Sequence, residues 1–145
     1  MALTGTYQRT LDDKQRLAVP RPMRDELVAG ESQDLYLAPE MDQALALFSS
    51  AAFERRAKRL EETSRGSQNV RNYLRLYYSQ AERVTLDSQG RIRIPERLVG
   101  FARLSTEVVL LGVHDHVEVW DRETWDGFLS SHSEEFDRLA EEAFR

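Results

Sequence analysis

An eleven-residue phrase occurs twice in this chain, and it constrains the fold more than any other feature. One copy runs from Thr10 to Pro20 and reads T-L-D-D-K-Q-R-L-A-V-P; the other runs from Thr85 to Pro95 and reads T-L-D-S-Q-G-R-I-R-I-P. Five of the eleven positions are identical at a constant offset of 75 residues, and two further positions are branched apolar in both copies. Such self-similarity marks an internal repeat, in which one structural unit is used twice.

The chemistry of the phrase predicts its local structure. Ile92 and Ile94 alternate with Arg91 and Arg93, the period of a half-buried strand, and Val84 and Leu86 alternate in the same way before them. Asp87-Ser88-Gln89-Gly90 between them reads as a turn, because Asp bonds its own backbone two residues on and Gly accepts positive φ. Pro95 has no N–H for a ladder and suits the first turn of a helix. The unit is therefore strand, tight turn, strand, helix start, with Asp12, Asp87 and Gly90 shaping the turns.

Read in order, each half repeats the same elements. After Pro20 a short helix is expected with Met23, Leu27 and Val28 inward, ended by Gly30. Leu35 to Leu37 reads as a strand broken by Pro39, Met41 to Gln43 as a turn, and Leu45 to Phe48 as a strand. Ser49 or Ser50 caps a helix with Phe53, Ala57 and Leu60 inward and Arg55, Arg56, Lys58 and Arg59 outward. A polar break at Thr63 to Ser67 precedes a second helix carrying Val70, Tyr73, Leu74 and Tyr77. The second half repeats the pattern with a helix at Glu96 to Arg103, strands Val108 to Leu111 and Val117 to Trp120, and a helix capped by Asp121. A last helix from about Ser133 is expected to bury Phe136, Leu139, Ala140 and Ala143. Phe48 and Phe53 match Trp120 and Trp125, each pair five residues apart at a strand-to-helix junction.

A repeat of about 45 residues buries little core alone. The two are expected to interleave into one α+β, pseudo-symmetric β-barrel with flanking helices. The expected division is residues 1–50 for the first repeat, 51–78 for a helical pair, 79–120 for the second repeat and 121–145 for C-terminal helices.

Composition narrows the function. Cysteine is absent, which excludes disulfides and thiolate metal sites. No signal-peptide pattern opens the chain and no apolar run approaches the roughly 18 residues of a membrane span, so a cytoplasmic protein with no membrane partner is expected. No catalytic triad, phosphate loop or carboxylate pair stands out, so neither enzyme activity nor a cofactor is expected. His114 and His116 read as part of a hairpin turn, not as metal ligands, with no third ligand in view. The net charge is −5, yet residues 118–145 hold nine acids and three arginines, −6, which leaves +1 for the remainder. An acidic tail facing away from a bound polyanion is one reading, and a merely soluble surface is the other.

These residues carry a resemblance. The doubled L-D-x-x-x-R phrase resembles the swapped-hairpin barrels of AbrB-type transcription factors and MazE-type antitoxins. Two copies in one chain, with a helical pair between and helices after, resemble the MraZ family over nearly the whole sequence. So do the stretches Arg75 to Glu82 and Val109 to Trp120. The resemblance implies a swapped-hairpin barrel and a regulator of transcription that binds double-stranded DNA at short direct repeats upstream of the division and cell-wall genes. It also implies a ring-shaped homo-oligomer and a nucleoid location. It places the DNA-contacting cations at Lys14, Arg16 and Arg91. Arg9 shares a hairpin with Lys14, and Arg21 and Arg24 lie where they would extend the patch. Two roles stay open for Arg16 and Arg91: contact with phosphate or base, and a salt bridge to Asp12 or Asp87 that fixes each turn. Gln15 stands where the family has Gly, Arg9 where a His or another polar residue is expected, and Gln80 replaces a Gly. A MazE-like antitoxin and a scaffold without DNA binding are the alternatives.

Overall fold

The computed structural model describes residues 2–30, 32–63 and 66–145, so residues 64 and 65 of the polar break between the two middle helices lie outside the described residues. The first half comprises β1 (Thr6–Thr10), β2 (Arg16–Ala18), α1 (Arg21–Leu27), β3 (Leu35–Glu40), β4 (Ala44–Ser49), α2 (Ser50–Glu61) and α3 (Gln68–Gln80). The second comprises β5 (Glu82–Val84), β6 (Arg91–Arg93), α4 (Glu96–Phe101), β7 (Glu107–Gly112), β8 (Val117–Asp121), α5 (Arg122–His132) and α6 (Phe136–Ala143). The element order of the two halves is the same.

Strand pairing joins the halves. One antiparallel sheet has the order β1-β7-β8-β4-β3-β5. The hairpins β3–β4 and β7–β8 lie within their own halves, but β1 pairs with β7 and β5 pairs with β3, each across halves. The centre of the sheet is the β4–β8 pair, with Ala46 opposite Glu118. Exchanging the halves leaves this order unchanged. The remaining strands form a separate ribbon, in which β2 pairs with β6 and Leu17 lies opposite Ile92.

The ladders of the described residues do not close into a barrel: β1 and β5 are edges of the sheet, and the ribbon is separate. The second strand of each repeat is only three residues long. Pro20 and Pro95 follow almost at once, lack an N–H, and turn the chain into α1 and α4. The ribbon therefore packs on one face of the sheet and, among the described residues, forms no ladder with it.

Two faces of the sheet have different partners. Leu35, Leu37, Leu45, Leu47, Val108, Leu110, Val117 and Val119 pack with Leu17 and Ile92 of the ribbon and with Met23, Leu27 and Leu98 of α1 and α4. On the opposite face, Phe48 and Ala46 meet Phe53 of α2 and Tyr77 of α3, while Trp120 and Val109 meet Trp125 and Phe128 of α5. The ring pairs anticipated from sequence are contacts, with centroids 5.6 Å apart for Phe48–Phe53 and 5.3 Å for Trp120–Trp125. Ser49 accepts a hydrogen bond from the Ala52 N–H and Asp121 from the Glu123 N–H, so both junction caps form. Because β4 is covered on both faces, all six of its residues are buried and it shows no polar alternation.

Three local expectations are corrected. Pro39 does not break β3, which continues to Glu40. Beyond Leu37 that strand has no neighbour on the β5 side, so a proline there costs no bond on that edge. Arg56 is not on the outer face of α2: its guanidinium lies 5.1 Å over the Phe48 ring and reaches Glu40 at 3.4 Å. The last helix buries none of its residues, and Phe136 is 76% exposed. Its apolar row instead lines an open groove with Phe128, Leu129 and His132 of α5. No helix among the described residues is long and apolar enough to cross a membrane.

Candidate nucleic-acid interface

Both repeat turns are built around one carboxylate. In the first, Asp12 Oδ1 accepts from the Lys14 and Arg16 N–H groups at 2.9 and 2.8 Å, and Oδ2 accepts from Arg16 Nε at 2.7 Å. In the second, Asp87 Oδ1 accepts from the Gln89 and Arg91 N–H groups at 2.9 Å each, and Oδ2 accepts from Arg91 Nε at 2.9 Å. The backbone bonds match as well, from Gln15 N to Asp12 O at 2.9 Å and from Gly90 N to Asp87 O at 3.0 Å. These donors hold both carboxyl groups below their ordinary range, the backbone N–H of Arg16 or Arg91 being the largest cause. The local pattern follows from sequence, since Asp is the residue whose side chain satisfies a turn's free N–H groups.

The salt bridge and the contact role are compatible. Each arginine meets its aspartate through Nε alone, which aims the guanidinium and leaves Nη1 and Nη2 without a hydrogen bond among the described residues. A guanidinium so fixed loses less rotamer entropy on meeting an acceptor than a free one.

The ribbon then sets the arginines side by side. Leu17 and Ile92 are buried beneath it. Arg16, Ala18, Arg91 and Arg93 therefore share the outward face, with Arg16 opposite Arg93 and Ala18 opposite Arg91. Like charges directly opposite one another destabilise a ladder. Asp12 offsets one of the two charges, while Arg93 makes no side-chain hydrogen bond or ion pair among the described residues. Such an arrangement suits a polyanionic partner. Sequence reading omitted Arg93 from the candidate site, although its place two residues after Arg91 on the same strand was a usable signal.

The other candidates lie around this face. Lys14 is exposed on the first turn, and Arg21 is exposed at the start of α1. Arg9 lies on the edge strand β1, where Nη1 donates to its neighbour's carbonyl, Gln8 O, at 2.7 Å and the guanidinium sits 5.6 Å from the Tyr7 ring. Among the described residues it shares no hydrogen bond with the ribbon arginines. Arg24 packs over the second turn, so close that a Cβ on Gly90 would stand 2.4 Å from its Nη1. The two turns differ at this point: Gly90 has φ 75° and Gln15 has φ 62°, so both positions are left-handed and only one is a glycine.

Trp125 and Phe128 seat α5 on the sheet face opposite the ribbon. The acidic C-terminal segment thus begins on the side away from Arg16, Arg91 and Arg93.

Residues 77–145 match the family model described as "MraZ protein, putative antitoxin-like". Proteins named transcriptional regulator MraZ from Clavibacter michiganensis and Clavibacter sepedonicus are each 36% identical to this chain over 138 residues, which is 95% of this chain and 94% of theirs. The protein of that name from Mycobacterium tuberculosis is 35% identical over 139 residues, 96% of this chain and 94% of its own.

Proposed function

The chain belongs to the MraZ family, and from that premise we propose that it is a sequence-specific, DNA-binding regulator of transcription. One observation carries the reading: the register of β2 and β6 sets Arg16, Arg91 and Arg93 together on the outward face of a two-stranded ribbon. A two-stranded ribbon fits the major groove of B-DNA, where an arginine fork reads the O6 and N7 of guanine. Arg16 and Arg91, aimed by their aspartates, are the base readers in this proposal. Lys14, Arg93, Arg21 and Arg9 meet phosphates and set the register on the duplex.

The same proposal includes a swapped-hairpin barrel of AbrB type, one repeat on each side of a pseudo-two-fold axis. The cross-half pairing of β1 with β7 and of β5 with β3 supports it. The units would be residues 1–50 and 79–120, with helical segments at 51–78 and 121–145. The partners are short direct repeats upstream of the division and cell-wall genes, engaged by a ring of identical chains at the nucleoid. One chain at net charge −5 opposes a polyanion overall. A ring offers many ribbons at high effective concentration, so weak single contacts sum to stable binding. The exposed apolar side chains Leu129, Phe136 and Leu139 suit such association.

The experiment is fluorescence anisotropy with DNA from the chain's own upstream region, carrying one or several repeats, beside light scattering of the protein. Affinity is expected to rise steeply with repeat number and to fall steeply with salt. Arg16→Ala and Arg91→Ala are each expected to cost about 1–3 kcal/mol per site and to relax base preference. Arg93→Ala should weaken all sequences alike. Wild-type affinity in both Arg16→Ala and Arg91→Ala would refute the ribbon as the binding face, and a monomer with equal affinity for one and several repeats would refute the ring.

A further inference from the structure

On the sheet face opposite the ribbon, three metal-type ligand atoms converge. His116 Nε2 lies 3.0 Å from Glu118 Oε2 and 4.0 Å from Glu40 Oε2, and the ligand atoms of all three residues fall within 4.8 Å of one another. The imidazole of His116 is almost fully buried, tilted over the Phe48 ring at 5.4 Å. We propose that His116, Glu118 and Glu40 form a binding site for a divalent transition-metal ion of the zinc type.

Each ligand has a partner that orients it. Asp115 Oδ1 lies 2.7 Å from His116 Nδ1; with the proton held on Nδ1 by that carboxylate, the Nε2 lone pair would face the two glutamates and a bound ion. Trp120 Nε1 donates to Glu118 Oε1 at 3.0 Å, leaving Oε2 to face the imidazole. The Met41 N–H donates to Glu40 Oε1 at 3.0 Å, and Oε2, the oxygen nearer the imidazole, accepts from Arg56 Nη2 at 3.4 Å. A carboxylate on the far nitrogen of a ligating histidine is the usual outer shell of a metal site.

Spacing and charge agree with that assignment. Four tetrahedral ligands at about 2.0–2.1 Å from zinc stand about 3.3 Å apart, between the two Nε2 separations seen here. Glu40 is too far from Nε2 for a hydrogen bond, so the imidazole is hydrogen-bonded to Glu118 and not to Glu40. Around a neutral imidazole stand the carboxylates of Glu40, Glu118 and Asp115 against the single guanidinium of Arg56. A divalent cation brings that sum to zero. Imidazole with carboxylates selects zinc, nickel or copper over magnesium and calcium, which prefer oxygen alone. Three protein ligands leave a fourth position for water. The ion would tie the end of β3 to β8.

The competing state is an imidazolium bridging two carboxylates. Burial disfavours that charge, but hydrogen bonds to Glu118 and Asp115 outweigh burial and hold the His116 pKa above its ordinary value. A metal ion takes the place of that proton on Nε2.

The test is calorimetric titration of the chelator-treated full chain with zinc sulfate, followed in parallel by tryptophan fluorescence and thermal melting. One ion per chain, a dissociation constant in the micromolar range or below, a changed indole signal and a raised Tm are expected. His116→Gln and Glu118→Gln should each weaken binding at least tenfold. Asp115→Asn should weaken it by less, and His114→Ala, on the exposed turn, should leave it unchanged. Circular dichroism of each variant confirms folding. Zinc binding that survives both His116→Gln and Glu118→Gln in folded protein is adventitious and overturns the proposal. So does the absence of binding at 100-fold molar excess, which leaves the imidazolium bridge alone.

Discussion

The first and second repeat turns share one hydrogen-bond scheme although three of their residues differ: Asp13, Lys14 and Gln15 stand against Ser88, Gln89 and Gly90. Asp12 and Asp87 accept the same three donors in each, to within about 0.2 Å. The left-handed position holds Gln15 in one and Gly90 in the other. The difference lies above the turn. Arg24 of α1 lies against Gly90 where a Cβ would stand. The residue at the same repeat offset above Gln15 is Val99, whose side chain packs into the core. A carboxylate cage is therefore enough to hold a left-handed residue of either kind, and the neighbouring helix decides whether a side chain has room. The molecule has used this freedom to seat one more guanidinium beside Arg91.

Five substitutions sharpen or break this comparison. The largest effect is expected beneath the turns, where Leu17 and Ile92 face each other in the ribbon and are both buried. Leu17→Ala and Ile92→Ala should each destabilise by about 2–5 kcal/mol in denaturant unfolding. Similar losses support equivalent halves, and a loss confined to one breaks the equivalence below the turn as well as above it.

A smaller effect is expected from Gly90→Ala. A Cβ at positive φ costs about 1–2 kcal/mol, and here it must also displace the Arg24 guanidinium. The same change in an Arg24→Ala background should cost less, because only the backbone strain remains. Equal costs in both backgrounds would show that Arg24 does not decide the glycine.

The smallest change belongs to Gln15→Gly. Relief of strain at φ 62° favours the variant, while the greater freedom of glycine in the unfolded chain opposes it by about 0.5–1 kcal/mol. The net shift should lie within about 1 kcal/mol and on the stabilising side. Destabilisation beyond that would mean that the Gln15 side chain itself supports the first turn.

Legibility from sequence followed the range of the interaction. Features decided within a few residues were readable: both Asp turns, the apolar alternation of β6, the helix starts after Pro20 and Pro95, the caps at Ser49 and Asp121. Features decided by distant neighbours were not. Arg56 reads as an outward helix residue, and only the approach of Glu40 and Phe48 turns it inward. His114 and His116 read as a turn without a third ligand, because Glu40 lies far away in the chain and arrives through β3. Arg93 reads only as a polar position in the alternation of its strand, and pairing with β2 sets it opposite Arg16. The apolar row of α6 has helical spacing, and spacing alone does not say whether the same chain covers it.

The sequence by itself determined the repeat, the form of its turns and the apolar side of the short strand after each turn, because turn chemistry and side-chain period act locally. Only the tertiary structure decided which strands of one half pair with which strands of the other. Antiparallel bonding between β2 and β6, or between β1 and β7, joins residues about 75 to 105 positions apart, and no local propensity encodes that choice of partner. It is made by burial: a three-residue strand with one apolar side chain has no core until its counterpart lies beside it.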